Sequence, residues 1–133
     1  MPMITVRYVS DDAGAELRGS IAAAATDVAT RTLGKSADVT VVLAEAAARD
    51  SWFVGGAPLP VGLAAFWLQI AVTAGTNTKA ETAAFVREAF AAMRRILGPV
   101  DARSYVLVHA AEGDNYGYGG RTQNARWAES QTR

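Results

Sequence analysis

Two stretches of this chain, Pro2 to Leu59 and Phe66 to Gln123, carry the same punctuation in the same order. Laying one on the other matches Arg31, Leu33 and Gly34 with Arg95, Leu97 and Gly98, and Val42-Leu43 with Val106-Leu107. Asp50 falls on Asp114, Trp52 on Tyr116, and Gly55-Gly56 on Gly119-Gly120. Eleven of the 58 pairs are identical, modest for a chain so rich in alanine, so the weight lies in where the matches fall. They mark the ends of segments and the turns, as expected of one supersecondary unit built twice.

Within the first copy, "MITVRYV" (Met3–Val9) is rich in β-branched residues and reads as a strand. A polar turn at Asp11–Gly14 leads into an alanine-rich segment with Leu17, Ile21, Ala25 and Val28 at helical spacing, stopped by Gly34. Asp38–Glu45 reads as a second strand whose continuous apolar stretch predicts burial on both faces, and Gly55-Gly56 marks a hairpin. The second copy repeats this with a strand at Phe66–Thr73, a helix capped by Asn77 or Thr78, and a strand at Ser104–Ala111. "DNYGYGG" closes it.

The expected architecture is α+β: two tandem β-α-β units forming one four-stranded sheet with both helices on one face. The whole of 1–133 is read as one domain, with pseudo-repeats 2–62 and 66–125 and a tail, 126–133, that is polar apart from Trp127. That tail is either a short arm laid on a neighbour or a frayed end. The bare face of the sheet is apolar enough to need a neighbouring chain as cover, so an obligate oligomer is expected. A ferredoxin-like dimer shares the same β-α-β count.

Composition removes several classes of function. Thirteen basic side chains balance thirteen acidic ones without a basic stripe, which argues against nucleic acid as a partner. There is no cysteine, and His109 is the one histidine, so thiol chemistry and a zinc site are not expected. His109 itself reads as a satisfied buried or interface residue on an apolar strand. The longest apolar run, Val61 to Val72, is too short to span a bilayer and contains Gln69. With no basic-then-apolar leader at the start, the expectation is a cytoplasmic protein with no membrane partner.

A proline directly after the first methionine, opening a β-α-β unit whose second strand is followed by a glycine pair, resembles the layout of the tautomerase superfamily. "DSWFVGG" and "DNYGYGG" are similar to the hairpin that ends the short 4-oxalocrotonate tautomerase unit. Two units in one chain resemble a fused pair of that enzyme, or the macrophage migration inhibitory factor branch. The resemblance covers Pro2 to about Gly120.

It implies a homotrimeric barrel, no cofactor or metal, a small-molecule substrate, and a methionine removed to leave Pro2 as a free secondary amine. Pro2 would then move a proton in a small enolisable carbonyl compound such as a 2-keto acid. Phe66, its counterpart in the second unit, is interior and has no amine. Lys35, in "LGK", is similar to a lysine at the pocket rim that meets a substrate carboxylate. Tyr105, in "SYVLV", falls where a tyrosine is lent to the neighbouring subunit's pocket.

Trp52 and Tyr116 match the aromatic that dries out the proline, Tyr116 more closely. The 4-oxalocrotonate tautomerases, like the family's decarboxylases and dehalogenases, carry a loop arginine after the first strand of a unit. Here "VSDDAG" and "TAGTNTK" have none, and Arg103 and Arg121 are the near substitutes as a carboxylate clamp. The alternatives are therefore decarboxylase or dehalogenase chemistry with a protonated proline, which the missing arginines disfavour, or a non-catalytic trimer of the same fold.

Overall fold

The computed structural model describes residues 2–12 and 14–131. Strand β1 (Met3–Val9) is followed by helix α1 (Ala15–Leu33), β2 (Val41–Ala46) and a hairpin of β3 (Phe53–Val54) and β4 (Ala57–Pro58). The order then recurs as β5 (Ala65–Thr73), α2 (Lys79–Leu97), β6 (Tyr105–Ala111) and a hairpin of β7 (Gly117–Tyr118) and β8 (Arg121–Thr122). A last helix, α3, runs from Gln123 to Gln131.

The main sheet has the order β2-β1-β5-β6. Within each unit the strands are parallel, β1 with β2 and β5 with β6, while the units meet through antiparallel β1 and β5. Alternation along the central strands turns Ile4, Val6 and Tyr8, with Phe66, Leu68 and Ile70, toward the helices, where all six are fully buried. Against them α1 places Ile21, Ala25 and Val28, and α2 places Phe85, Ala89 and Met93, at the spacing of one helix face. This layer of side chains is the main core, and a smaller cluster of Val9, Leu59 and Ala65 packs with Trp52 and Val54 apart from it.

The helix ends are fixed by local chemistry. Gly34 adopts φ 68°, a left-handed conformation that costs glycine nothing, and its N–H donates to Thr30 O at 3.1 Å. At the start of α2, Thr78 is the cap: its Oγ1 accepts from the Glu81 N–H at 3.1 Å, and its own N–H donates to Glu81 Oε1 at 2.8 Å. Asn77 does a different job, donating through Nδ2 to Leu33 O at 2.9 Å and so closing the far end of α1.

Three expectations need correction. The second strand begins at Val41 rather than Asp38, because Ala37–Val39 form a 3-10 turn. It is also buried on one face only within the chain: Val42 and Ala44 pack on the core while Val41 and Leu43 are 56% and 46% exposed. They belong to a helix-free face shared with Met3, Trp67, Tyr105 and Leu107. His109 lies exposed on that same face. The tail, expected to be an arm or frayed, is helical as far as Gln131, and its last two residues lie outside the described ones.

Candidate active site

Pro2 ends up buried because the chain enters β1 beneath the second hairpin. Its carbonyl accepts from the Val41 N–H at 3.2 Å, which ties the first residues to the edge strand. The hairpin above is a two-residue turn with Gly119 and Gly120 at φ 62° and 79°, both left-handed. Gly117 is demanded by space: a Cβ there would lie 1.9 Å from the Arg121 carbonyl oxygen. These glycines let the hairpin fold tightly enough to lean Tyr116 over the start of β1.

A cavity of about 480 Å³ opens in front of Pro2. Its floor and sheet side are Pro2, Met3 and Val41, with Asp38 and Val39 of the 3-10 turn at one wall. The hairpin supplies Tyr116, Gly117 and Tyr118, and α3 supplies Gln123. Tyr116 is clamped in place, its hydroxyl donating to the Ala71 carbonyl of β5 at 3.1 Å, and burial raises its pKa above the usual phenol value. Tyr118 lies under the Arg126 guanidinium, 3.8 Å from the ring centroid, and its carbonyl accepts from Arg126 Nη2 at 3.0 Å. The base of α3 is pinned to the hairpin loop by Gln123 N–H to Tyr116 O (2.8 Å) and Asn124 N–H to Gly113 O (3.0 Å).

Lys35 does not line this cavity. It lines an adjoining one of about 360 Å³ with Thr73, Thr76 and Trp127, and Gln123 forms part of both. The Lys35 ammonium donates to Thr76 Oγ1 at 3.2 Å, and burial pulls its pKa below that of an ordinary lysine despite the nearby Glu81 carboxylate.

Arg103 and Tyr105 are elsewhere in the protomer. With Trp52, Val54 and Trp67 they border a separate cavity of about 410 Å³ under the first hairpin. Tyr105 stacks obliquely on Trp67 with centroids 6.1 Å apart. Arg103 is already engaged, its Nε and Nη2 donating to the two oxygens of buried Asp101 at 3.0 and 3.1 Å. Those bonds hold the Asp101 carboxyl below its usual range. Arg121 pairs with Glu129 of α3.

Of the seven residues singled out in the sequence, then, Pro2 and Tyr116 share one cavity, Lys35 lines the adjoining one that shares Gln123 with it, Trp52, Arg103 and Tyr105 lie apart, and Arg121 is paired with Glu129. Asp38, Tyr118 and Gln123 are cavity residues that sequence reasoning passed over. A signal existed for Gln123, since the overlay of the two copies sets it against Leu59. Among the described residues no group of three His, Asp or Glu side chains could hold a metal ion. Nor is any helix among them long and apolar enough to cross a membrane.

No protein-family model matches the chain. Over 56 residues it is 34% identical to a probable tautomerase K2 of Dickeya dadantii, a match covering 42% of this chain and 84% of that protein. Among solved structures, a fused 4-OT wild-type asymmetric trimer superposes with a TM-score of 0.80 at 18% identity, covering 93% of this chain and 98% of the other. A macrophage migration inhibitory factor-like protein of Entamoeba histolytica gives 0.75 at 16% identity, over 91% and 97%.

Proposed function

Because the chain belongs to the tautomerase superfamily, we propose that it is an isomerase in which Pro2, freed by removal of Met1, shuttles a proton in a small enolisable carbonyl compound. The observation that carries this reading is the burial of Pro2 in a largely apolar cavity roofed by Tyr116. A terminal amine titrates near pKa ~7.7–8.0 in water. Apolar surroundings disfavour the ammonium form and lower that value, so the nitrogen is neutral and basic at working pH. It takes a proton from the carbon alpha to the carbonyl. The C–H electron pair becomes the new C=C bond, and the carbonyl π pair moves onto oxygen. Returning the proton at another position completes the tautomerisation.

The assembly in this reading is a homotrimer whose exposed apolar residues, Val41, Leu43 and Leu107 among them, are covered by neighbours. The trimeric fused 4-OT fold relative supports it. Tyr105 then serves the cavity of a neighbouring protomer, and Lys35 receives a substrate carboxylate. Arg103 helps at the same boundary only as far as its bond to Asp101 leaves a donor free.

A second reading is favoured by Asp38. A carboxylate on the cavity wall stabilises a prolinium ion, which would act as an acid in decarboxylating or dehalogenating chemistry. The pH–rate profile on phenylenolpyruvate separates the two: base chemistry fades on the acid side, acid chemistry on the alkaline side. Intact-mass spectrometry establishes whether Met1 is absent. Pro2→Ala, or a chain keeping Met1, should lose roughly 10²-fold or more in kcat/KM. Undiminished turnover in both would rule out the amine.

A further inference from the structure

Gln123 is only 9% exposed, yet its side-chain Nε2 has no hydrogen-bond partner. A buried amide N–H left unpaired is a standing cost, and folded proteins rarely leave one without a use. Gln123 is one of the residues lining the cavity that holds Pro2.

The scaffold does not need it. In the first unit the matching position is Leu59, 3% exposed, whose N–H donates to Trp52 O at 3.1 Å. The Gln123 N–H makes the same backbone bond to Tyr116 O at 2.8 Å. The fold therefore accepts a plain hydrocarbon at this point of the hairpin, and the second unit carries an amide instead.

Of the side-chain donors nearby, the Tyr116 hydroxyl is spent on Ala71 O, and Lys35, which lines the adjoining cavity, holds Thr76 Oγ1 with one of its three N–H groups. None of the residues lining the Pro2 cavity is cationic.

We propose that the Gln123 side-chain amide donates a hydrogen bond to the carbonyl oxygen of the substrate and holds that oxygen as it becomes the enolate. This rests on the reading of Pro2 as the proton carrier. As Pro2 N takes the alpha proton, the π pair arriving on oxygen creates an anion, and Nε2–H meets it without giving up a proton. A neutral donor suits a single enolate oxygen better than a dianionic acid, so the substrate favoured is an enolisable ketone or 2-keto monoacid.

Gln123→Leu restores the residue used in the other unit and is expected to fold with a melting temperature no lower than that of the wild type. Its kcat on phenylenolpyruvate should fall about 10²-fold, as for loss of one oxyanion donor. A second readout does not depend on turnover. In 15N-labelled protein the Gln123 side-chain NH2 resonances, assigned by their loss in Gln123→Leu, should shift saturably on adding phenylpyruvate. They should do so in the Pro2→Ala background as well, so failure of the amine and failure of the amide are told apart. A Gln123→Leu enzyme within twofold of an active wild type overturns the proposal. So do NH2 resonances that ignore phenylpyruvate, whether or not the wild type turns over.

Discussion

Tyr116 reaches across from the second hairpin to donate its hydroxyl to the carbonyl of Ala71 on β5, and Ala71 is the cross-strand partner of Met3. One hydrogen bond thus fastens the roof of the cavity to the strand beside its floor.

Removing only that bond, with Tyr116→Phe, should lower stability by about 0.5–1.5 kcal/mol, measured by urea unfolding. Removing the roof, with Tyr116→Ala, should admit water to Pro2. The amine pKa then climbs toward the solvated value of ~7.7–8.0, and the acid limb of the kcat/KM profile moves to higher pH. An acid limb that stays in place would show that Tyr116 does not dry the nitrogen.

Lys35 is held below the ordinary lysine pKa by burial. If it receives a substrate carboxylate, KM for phenylenolpyruvate should begin to rise with pH before ~10.4, as the ammonium is lost early. Lys35→Met should raise KM roughly 10-fold with little change in kcat, and should abolish that alkaline rise. Steady-state kinetics across pH reads both.

Asp101 has the opposite sign. Its folded pKa is depressed by the Arg103 hydrogen bonds, so their stabilisation is fully present above the unfolded carboxylate value of ~3.9 and vanishes as pH falls through the lower folded value. Asp101→Asn should therefore be less stable than wild type at pH 7, and the gap should close below about pH 4. Denaturant midpoints at the two pH values decide it.

Leu107, 40% exposed in the protomer, faces outward in the same row of the sheet as Gln69. Leu107→Glu puts a carboxylate into each contact of the proposed trimer and should leave a species near one chain's mass by sedimentation equilibrium. Wild type should run near three.

Much of the fold was legible because the signals were local and doubled. Gly34, Thr78 and the two glycine pairs announce helix ends and turns by backbone chemistry, and each occurs where the sequence puts it. The tail was less readable. α3 has one large apolar residue, Trp127; its start is capped by Thr122, whose Oγ1 accepts from the Ala125 N–H at 3.0 Å, and is held by backbone bonds to the hairpin, which only the fold provides. The site was half legible for a related reason. Pro2 and Tyr116 stand out as residue types, whereas Gln123 and Asp38 are ordinary polar residues until the hairpin and the 3-10 turn bring them to the same cavity.

The antiparallel join of β1 and β5 has one more consequence. Tyr105 pairs with Trp67, and Trp67 with Arg7, so Tyr105 lies five residue rows from Pro2, about 17 Å along the strands. No protomer can bend its own Tyr105 back over its own Pro2. If the two cooperate, they do so head to tail around a closed ring. Co-assembling a Pro2→Ala chain with a Tyr105→Phe chain would then regenerate one intact pair at a boundary of every mixed ring, and activity would return from two crippled parents.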